Sequence, residues 1–230
     1  MRLVSTLCLL FGLTVVLAAQ QPLQPSPKEV RVAFVISDNF DMIDFAGPWE
    51  VFQDVMLLAP GRTVHDDHAM PFTLYTVSDS TNPVSSSDGA KLIPAYTFAN
   101  APKPDIVVIG AQSSNSPALM EWLRKQAANK VTLMSVCTGA SKLARSHLID
   151  GKKATTHHEY IDHFKEQFPA VEWQKAKRYV RSADNIYTAG GLTSGIDLAL
   201  HLVAKRFGNE VAQATADYME YHSDGWKQPE

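Results

Sequence analysis

A single cysteine stands where a strand pattern turns into a helix pattern. The buried-strand pattern of Val131–Val136 leads directly into Cys137, Thr138 and Gly139. A sharp strand-to-helix turn between small residues is typical of a nucleophile elbow, which raises a side chain above the carboxyl edge of a sheet. The helix N-terminus would favour the thiolate, and the Thr138 N–H would stabilise an oxyanion. The alternative is a small apolar cysteine at the end of a core strand.

The flanking sequence predicts the elements that would position this cysteine. Helical spacing links Phe45, Trp49, Phe52 and Met56, with Asp44 and Pro48 marking the start of that helix. The remaining patterns are strands, helices and one hairpin: strands at Val30–Ile36, Phe72–Val77 and Asp105–Ile109, helices at Pro117–Ala128 and Ser194–Phe207, and a hairpin of Tyr179–Arg181 with Ile186–Ala189. Strands alternating with helices predict an α/β fold, with one mostly parallel central sheet covered by helices on both faces.

The composition excludes several classes of protein. The chain has 230 residues, of which 45% are apolar and 20% charged, so one domain with a short extra segment is expected. Its 21 basic and 24 acidic residues argue against disorder. The formal charge of -3 provides no basic field for a phosphate backbone, so nucleic acid is not an expected partner.

The N-terminus has the pattern of an export signal. A basic start at Arg2 precedes an uncharged run that ends in small residues at Ala18 and Ala19. The run is shorter than the roughly 20 residues that span a bilayer, which favours cleavage over an uncleaved anchor. We therefore predict a signal peptide at 1–20, a proline-rich linker at 21–29, a domain at 30–222 and a tail at 223–230. The protein would be periplasmic or secreted without a stable membrane anchor, and loss of Cys8 would leave Cys137 unpaired.

Four separated blocks of the sequence resemble the ThiJ/PfpI superfamily, and within it the isonitrile hydratases and the sensor-like domains of AraC-type regulators. The blocks are Ser135–Gly139, Leu148–His157, Thr188–Asp197 and Ile43–Glu50. The resemblance implies a flavodoxin-like, class I glutamine-amidotransferase-like three-layer sandwich that usually forms a homodimer. It also implies the nucleophile elbow at Cys137.

The resemblance also assigns roles to particular residues. Asp44 matches the acidic residue that acts as acid/base beside the hydratase cysteine, whereas the alternative for Asp44 is a helix N-cap. Asp41 is its rival and is more readily explained as a solvated turn residue. Thr138 matches the threonine after that cysteine, where the protease-like members carry histidine, so peptidase activity is disfavoured. His157 matches a histidine near the cysteine, with a surface histidine as the alternative.

The turn after the strand at Asp105–Ile109 departs from the pattern of the family. Relatives carry Pro-Gly-Gly there, and this chain carries Gly110, Ala111 and Gln112. A turn that needed positive φ would be strained by these side chains, at a cost of about 1 kcal/mol or more. Gly190 and Gly191 lack the context of a phosphate loop and are predicted to form a tight turn at the pocket.

The sequence leaves three functions open. The first is a hydratase or hydrolase-type enzyme, a lyase if it is isonitrile hydratase-like, in which Cys137 attacks a small electrophilic substrate and Asp44 moves the proton. The second is a small-ligand or redox sensor without turnover, and the third is a glyoxalase- or deglycase-like aldehyde enzyme. None needs a metal or cofactor, and the residues from His65 to His68 are better explained as a solvated loop than as metal ligands.

Overall fold

The computed structural model describes residues 29–58 and 68–230, so the predicted signal peptide and nearly all of the predicted linker lie outside it. The strands are β1 (Val30–Val35), β2 (Phe72–Ser78), β3 (Val84–Ser85), β4 (Lys91–Leu92), β5 (Tyr96–Thr97), β6 (Ile106–Ile109), β7 (Thr132–Ser135), β8 (Lys153–Ala154), β9 (Glu172–Trp173), β10 (Tyr179–Ala183) and β11 (Ile186–Ala189). The α-helices are α1 (Met42–Gln53), α2 (Pro117–Ala128), α3 (Ala140–Arg145), α4 (Ile161–Gln167), α5 (Ser194–Phe207) and α6 (Asn209–Tyr218). Among the described residues, no helix combines the length and the apolar character needed to cross a membrane.

Within the described ranges, seven strands form the central sheet in the order β10-β11-β7-β6-β1-β2-β5. Every neighbouring pair is parallel except β10 with β11, which form the predicted antiparallel hairpin. The registers align Val35 with Ile109, Ile109 with Ser135 and Ser135 with Thr188. The carboxyl ends of β1, β6, β7 and β11 therefore meet at one edge of the sheet.

Successive residues of each central strand face opposite layers of the core, because side chains alternate along a strand. Val32, Phe34 and Val108 pack with α1, α5 and α6 on one face. Ala33 and Val107 belong to the second core, which the helices α2, α3 and α4 cover on the other face. The strands are buried on both sides, which explains why their sequences read as nearly continuous apolar runs.

The limits of the longer helices agree well with the sequence. Helices α2 and α5 have the predicted bounds, and Ser116 caps α2 by accepting a hydrogen bond from the Leu119 N–H. The start of α1 differs from the prediction, since its N-cap is Asp41, whose side chain accepts a hydrogen bond from the Ile43 N–H. Asp41 is therefore a structural cap and not a solvated turn residue. Asp44 lies in the first turn of the helix but does not cap it, so its carboxyl group is available for other contacts.

Residues 223–230, which we predicted to be a tail, pack against the domain. The Trp226 side chain is only 2% exposed. The Tyr179 hydroxyl donates to the Trp226 carbonyl at 3.0 Å, and Lys205 and His201 contact the Glu230 carboxylate at 2.6 and 3.0 Å. The segment is thus part of the layer formed by α5 and α6.

Candidate active site

The candidate site lies at the carboxyl edge of the sheet, where three strand ends bring their following residues together. Gly110 follows β6, Cys137 follows β7 after one residue, and Gly190 follows β11. The Cys137 N–H donates to the Gly190 carbonyl at 2.8 Å. The elbow is thereby fixed to the turn after β11, which is the topological position where open α/β sheets bind ligands.

Cys137 has the strained backbone of a nucleophile elbow. Its φ is 55°, in the left-handed region that residues with a side chain rarely adopt. A short 3₁₀ turn, Cys137–Gly139, precedes α3, so the predicted helix begins as a tighter turn. A Cβ at Gly139 would lie 2.1 Å from the Ile109 carbonyl oxygen, so only glycine lets the elbow pack against the end of β6. The Thr156 hydroxyl adds a 2.9 Å hydrogen bond to the Cys137 carbonyl.

Asp44 is fully buried beside the cysteine, as the resemblance implied. The Ala111 N–H donates to its Oδ2 at 2.9 Å. Its Oδ1 is buried and has no regular hydrogen-bond partner among the described atoms. The Cys137 thiol and the Leu192 N–H nevertheless both lower the pKa of the carboxyl. A Cβ at Gly110 would lie 2.7 Å from the Asp44 Cβ, so this glycine makes room for the acid.

The electrostatics of the pair differ from the sequence prediction of a thiolate. Burial, together with the smaller effect of the negative charge of Asp44, raises the pKa of Cys137 to about 12, against the lowering effect of the Thr138 N–H. Burial also raises the pKa of Asp44 to about 7, despite the hydrogen bond from Ala111. The predicted thiolate is therefore wrong for the resting site, because Cys137 is only 6% exposed and desolvation of the sulfur outweighs the effect of the helix N-terminus. Near neutral pH the site therefore holds a protonated thiol next to a carboxyl whose own pKa lies close to the surrounding pH.

Two backbone N–H groups face the reacting pair. The Thr138 N–H lowers the pKa of Cys137, in the position expected of an oxyanion donor. The Leu192 N–H lowers the pKa of both Cys137 and Asp44. Leu192 was missed by the sequence reasoning, and its φ of 53° shows why, since only the folded turn directs its amide toward the pair. The two predicted glycines, Gly190 and Gly191, were the local signal that an unusual turn lay here.

The histidine matched by resemblance forms part of the wall beside the elbow. The His157 ring stacks on His158 at 4.6 Å between centroids and accepts a hydrogen bond from the Glu159 N–H at 3.3 Å. A Cβ at Gly191 would lie 2.2 Å from the His157 Cδ2, so the ring rests directly on that glycine. Since neither a hydrogen bond nor an ion pair joins His157 to Cys137 or Asp44, its place is in the wall of the pocket.

The altered turn after β6 is unstrained. Ala111 and Gln112 are absent from the residues with positive φ in the described ranges, so their side chains carry none of the expected backbone penalty. Ala111 supplies the N–H that holds Asp44, and Gln112 donates to the Val35 carbonyl at 3.0 Å. The replacement of the two glycines therefore leaves the acid in place.

Two spaces adjoin the reacting pair. A void of about 10 Å³ lies against Asp44, Gly110 and Ala111, large enough for about one water molecule. A cleft of about 400 Å³, here named the His157 cleft, opens on the other side and is lined in part by Thr156, His157, Arg178, Gly190, Gly191 and Leu192. Three of these lining residues contact Cys137, so the cleft borders the elbow. The Thr156 hydroxyl donates to the Cys137 carbonyl, the Gly190 carbonyl accepts from the Cys137 N–H, and the Leu192 N–H lowers the pKa of the thiol.

Sequence comparison relates the chain to enzymes and to regulators. An isonitrile hydratase from Pseudomonas putida is 30% identical over 197 residues, which cover 84% of this chain and 78% of the hydratase. The HTH-type transcriptional regulator GbdR from Pseudomonas aeruginosa is also 30% identical, over 83% of this chain and 50% of the regulator. The chain thus spans about half the length of this regulator.

Solved structures and a family match agree with this relationship. A THiJ/PfpI family protein from Pseudomonas syringae has a TM-score of 0.66 at 23% identity, covering 92% of this chain and 85% of that one. Drosophila melanogaster DJ-1beta has a TM-score of 0.70 at 16% identity, and the match covers 85% of this chain and 100% of the DJ-1beta chain. Residues 30–205 match the model of the DJ-1/PfpI family. With the elbow, the sheet order and this match taken together, the chain belongs to the DJ-1/PfpI family.

Proposed function

We propose that this protein is a cysteine-dependent enzyme of the hydratase or hydrolase type that acts on a small electrophilic substrate. The observation that carries the proposal is the pairing of a buried thiol, Cys137, with a fully buried carboxyl, Asp44, whose pKa of about 7 lies near physiological pH. A general base works best when its pKa lies near the working pH. The 30% identity to an isonitrile hydratase supports an isonitrile as the first substrate to test.

The reaction with an isonitrile balances with these two residues and water. The Cys137 sulfur bonds to the terminal carbon while the thiol proton passes through Asp44 to that same carbon, which gives a thioimidate. Water then adds to this carbon, one of its protons moves to the nitrogen, and the carbon–sulfur bond breaks. The sulfur regains a proton through Asp44, and an N-substituted formamide leaves. The Thr138 and Leu192 N–H groups lie where they would stabilise charge that develops during these steps.

A turnover assay with variants of both residues tests the proposal. Purified protein is incubated with a panel of isonitriles, amides and methylglyoxal, and products and Cys137 adducts are measured by mass spectrometry. Formamide production that disappears in Cys137→Ala and in Asp44→Asn supports the hydratase. Turnover of methylglyoxal alone would favour the aldehyde enzyme.

A sensor without turnover is the second candidate, and the burial of the thiol favours it. A cysteine that is 6% exposed with a pKa of about 12 reacts slowly unless a ligand reorganises the site. The regulator relatives that share this domain point in the same direction. Saturable binding of a small molecule, measured by a thermal shift and unaccompanied by product, would support this alternative over the enzyme.

A further inference from the structure

The His157 cleft has a distinctive charge pattern. Its lining includes Lys177, Arg178, His157 and His158, and no Asp or Glu is present among the described residues that line it. Lys177 is exposed and forms no ion pair with a described residue. A cleft lined by one uncompensated ammonium group and by no carboxylate among the described residues attracts anions and repels cations.

Arg178 adds a hydrogen-bond donor whose side chain is held in place by neighbouring side chains. Its guanidinium pairs with Asp197, which is fully buried, and donates to the Thr193 hydroxyl at 3.1 Å. Tyr221 and Ser223 each donate to the other oxygen of Asp197 at 3.1 Å. Asp197 compensates the charge of Arg178, but the arginine side chain stays 33% exposed. Asp197 and Thr193 thus engage the Nε and Nη2 atoms of Arg178, and they fix the direction in which its remaining Nη1 can donate to an anion such as a carboxylate.

The backbone places this donor next to the nucleophile. The Gly190 N–H donates to the Arg178 carbonyl at 2.9 Å, and the Gly190 carbonyl accepts the Cys137 N–H at 2.8 Å. Arg178 and Cys137 thus lie on either side of one residue of the cleft wall. Leu192, whose N–H acts on the Cys137 thiol, also lines the cleft, so the basic residues and the elbow share this wall.

We propose that the substrate carries a carboxylate, which Lys177 and Arg178 bind in the His157 cleft while its electrophilic carbon faces Cys137. This inference rests on the proposed function, since it names the substrate class of the same site. For the hydratase reaction, it predicts that an isonitrile with a carboxylate a few bonds away is used better than a neutral isonitrile of equal size.

A pair of alkylating reagents tests the charge preference without knowledge of the substrate. Iodoacetate and iodoacetamide have nearly the same size, and each loses iodide when the Cys137 sulfur attacks its methylene carbon. The rate constants at the Cys137 peptide are measured by mass spectrometry in the full chain, and their ratio is divided by the ratio for a free thiol at the same pH. We expect iodoacetate to be favoured by about tenfold after this correction, with the preference weakening in high salt.

Variants identify which cations produce the preference. Lys177→Gln should reduce it by about fivefold, whereas Lys175→Gln, which removes a lysine outside the cleft lining, should leave it unchanged. Arg178→Gln combined with Asp197→Asn removes the guanidinium without leaving a buried charge unpaired, and it should also reduce the preference.

The outcomes separate this inference from the proposed function. Labelling of Cys137 with the same corrected ratio as a free thiol, in the wild type and in every variant, overturns the carboxylate inference and leaves the reactive cysteine intact. If neither reagent labels Cys137 until the protein is denatured, the cleft does not lead to the sulfur, and both proposals fail.

Discussion

The Ala111 N–H donates to the Asp44 carboxylate at 2.9 Å, so the loop after β6 holds the acid against the cysteine. The contact depends on the backbone of residue 111 and on the missing side chain of residue 110. It explains how the chain keeps the acid in position with Ala111 and Gln112 at the positions where glycines were expected.

Gly110→Ala should displace the acid, whereas Ala111→Gly should not. A Cβ at position 110 would lie 2.7 Å from the Asp44 Cβ, so we expect a stability loss of about 1–3 kcal/mol and at least about a tenfold loss of turnover. Ala111→Gly keeps the N–H donor and should keep turnover within a few-fold. Urea unfolding and kcat/KM of the two variants check this, and equal activity would contradict the steric argument.

The acid should give the reaction a pH dependence centred near pH 7. Since the pKa of Cys137 is raised to about 12, the thiol needs a base, and Asp44 becomes one as the pH rises through about 7. We expect kcat/KM of the wild type to rise through that range. In Asp44→Asn, kcat/KM should fall by about 100-fold or more, and its rise with pH should disappear. Asp41→Asn retains an N-cap acceptor and should keep the rise, but with its midpoint at a lower pH, because the charge of Asp41 contributes to the raised pKa of Asp44.

The same carboxyl should make the free energy of unfolding depend on pH. The native pKa of Asp44 is raised from 3.8 to about 7, so between these values the native state binds more protons than the unfolded state. The wild type should therefore lose stability as pH rises through this window, by at most about 4 kcal/mol from this group. Asp44→Asn should lack this contribution, so its stability relative to wild type should increase across the window. A difference that stays flat in urea titrations from about pH 4 to about pH 7.5 would refute the raised pKa.

Helices and strands with a clear hydrophobic period were predictable from the sequence. The residues that these elements place at the edge of the sheet were predictable as well. Helix α2 has its predicted limits because Ser116 caps it and Pro117 begins it, both of which are local signals. Helices α4 and α6 were missed, and the two-residue strands β8 and β9 are too short to show a period. The three-layer sandwich, the hairpin and the pairing of Asp44 with Cys137 agree with the sequence prediction and the resemblance.

Properties that depend on burial were not predictable from local sequence. The direction of the Cys137 pKa shift was wrong because the depth of the elbow is set by tertiary packing. Leu192 was missed because its amide direction depends on a backbone φ of 53°. Signal cleavage, export and the homodimer stay predictions, since residues 1–28 and a partner subunit lie outside the described structure.

The packing of His157 on Gly191 can be measured with a double-mutant cycle. A Cβ at Gly191 would lie 2.2 Å from the His157 ring, so Gly191→Ala should force the ring to move and cost about 1–3 kcal/mol. In a His157→Ala background the same substitution should cost at least about 1 kcal/mol less. Urea unfolding of the four proteins gives the coupling, and additive effects would show that the ring already has room to move.

Because of the backbone conformation of Cys137, glycine should give a more stable protein than alanine at this position, which reverses their usual order. At a φ of 55°, glycine avoids the penalty that any side chain carries. We therefore expect Cys137→Gly to be more stable than Cys137→Ala by up to about 1 kcal/mol in urea unfolding. Ala199, which is buried within α5, serves as the control, because glycine should be less stable than alanine there. If glycine were also less stable than alanine at position 137, the elbow would not be strained.

The hydrogen bond from Cys137 to Gly190 joins residues 53 positions apart, and Gly190 is bonded in turn to Arg178 at the start of the hairpin. Nucleophile and basic wall are therefore coupled mechanically. A molecule that displaced the backbone of Arg178 would strain the hydrogen bond that anchors the Cys137 amide.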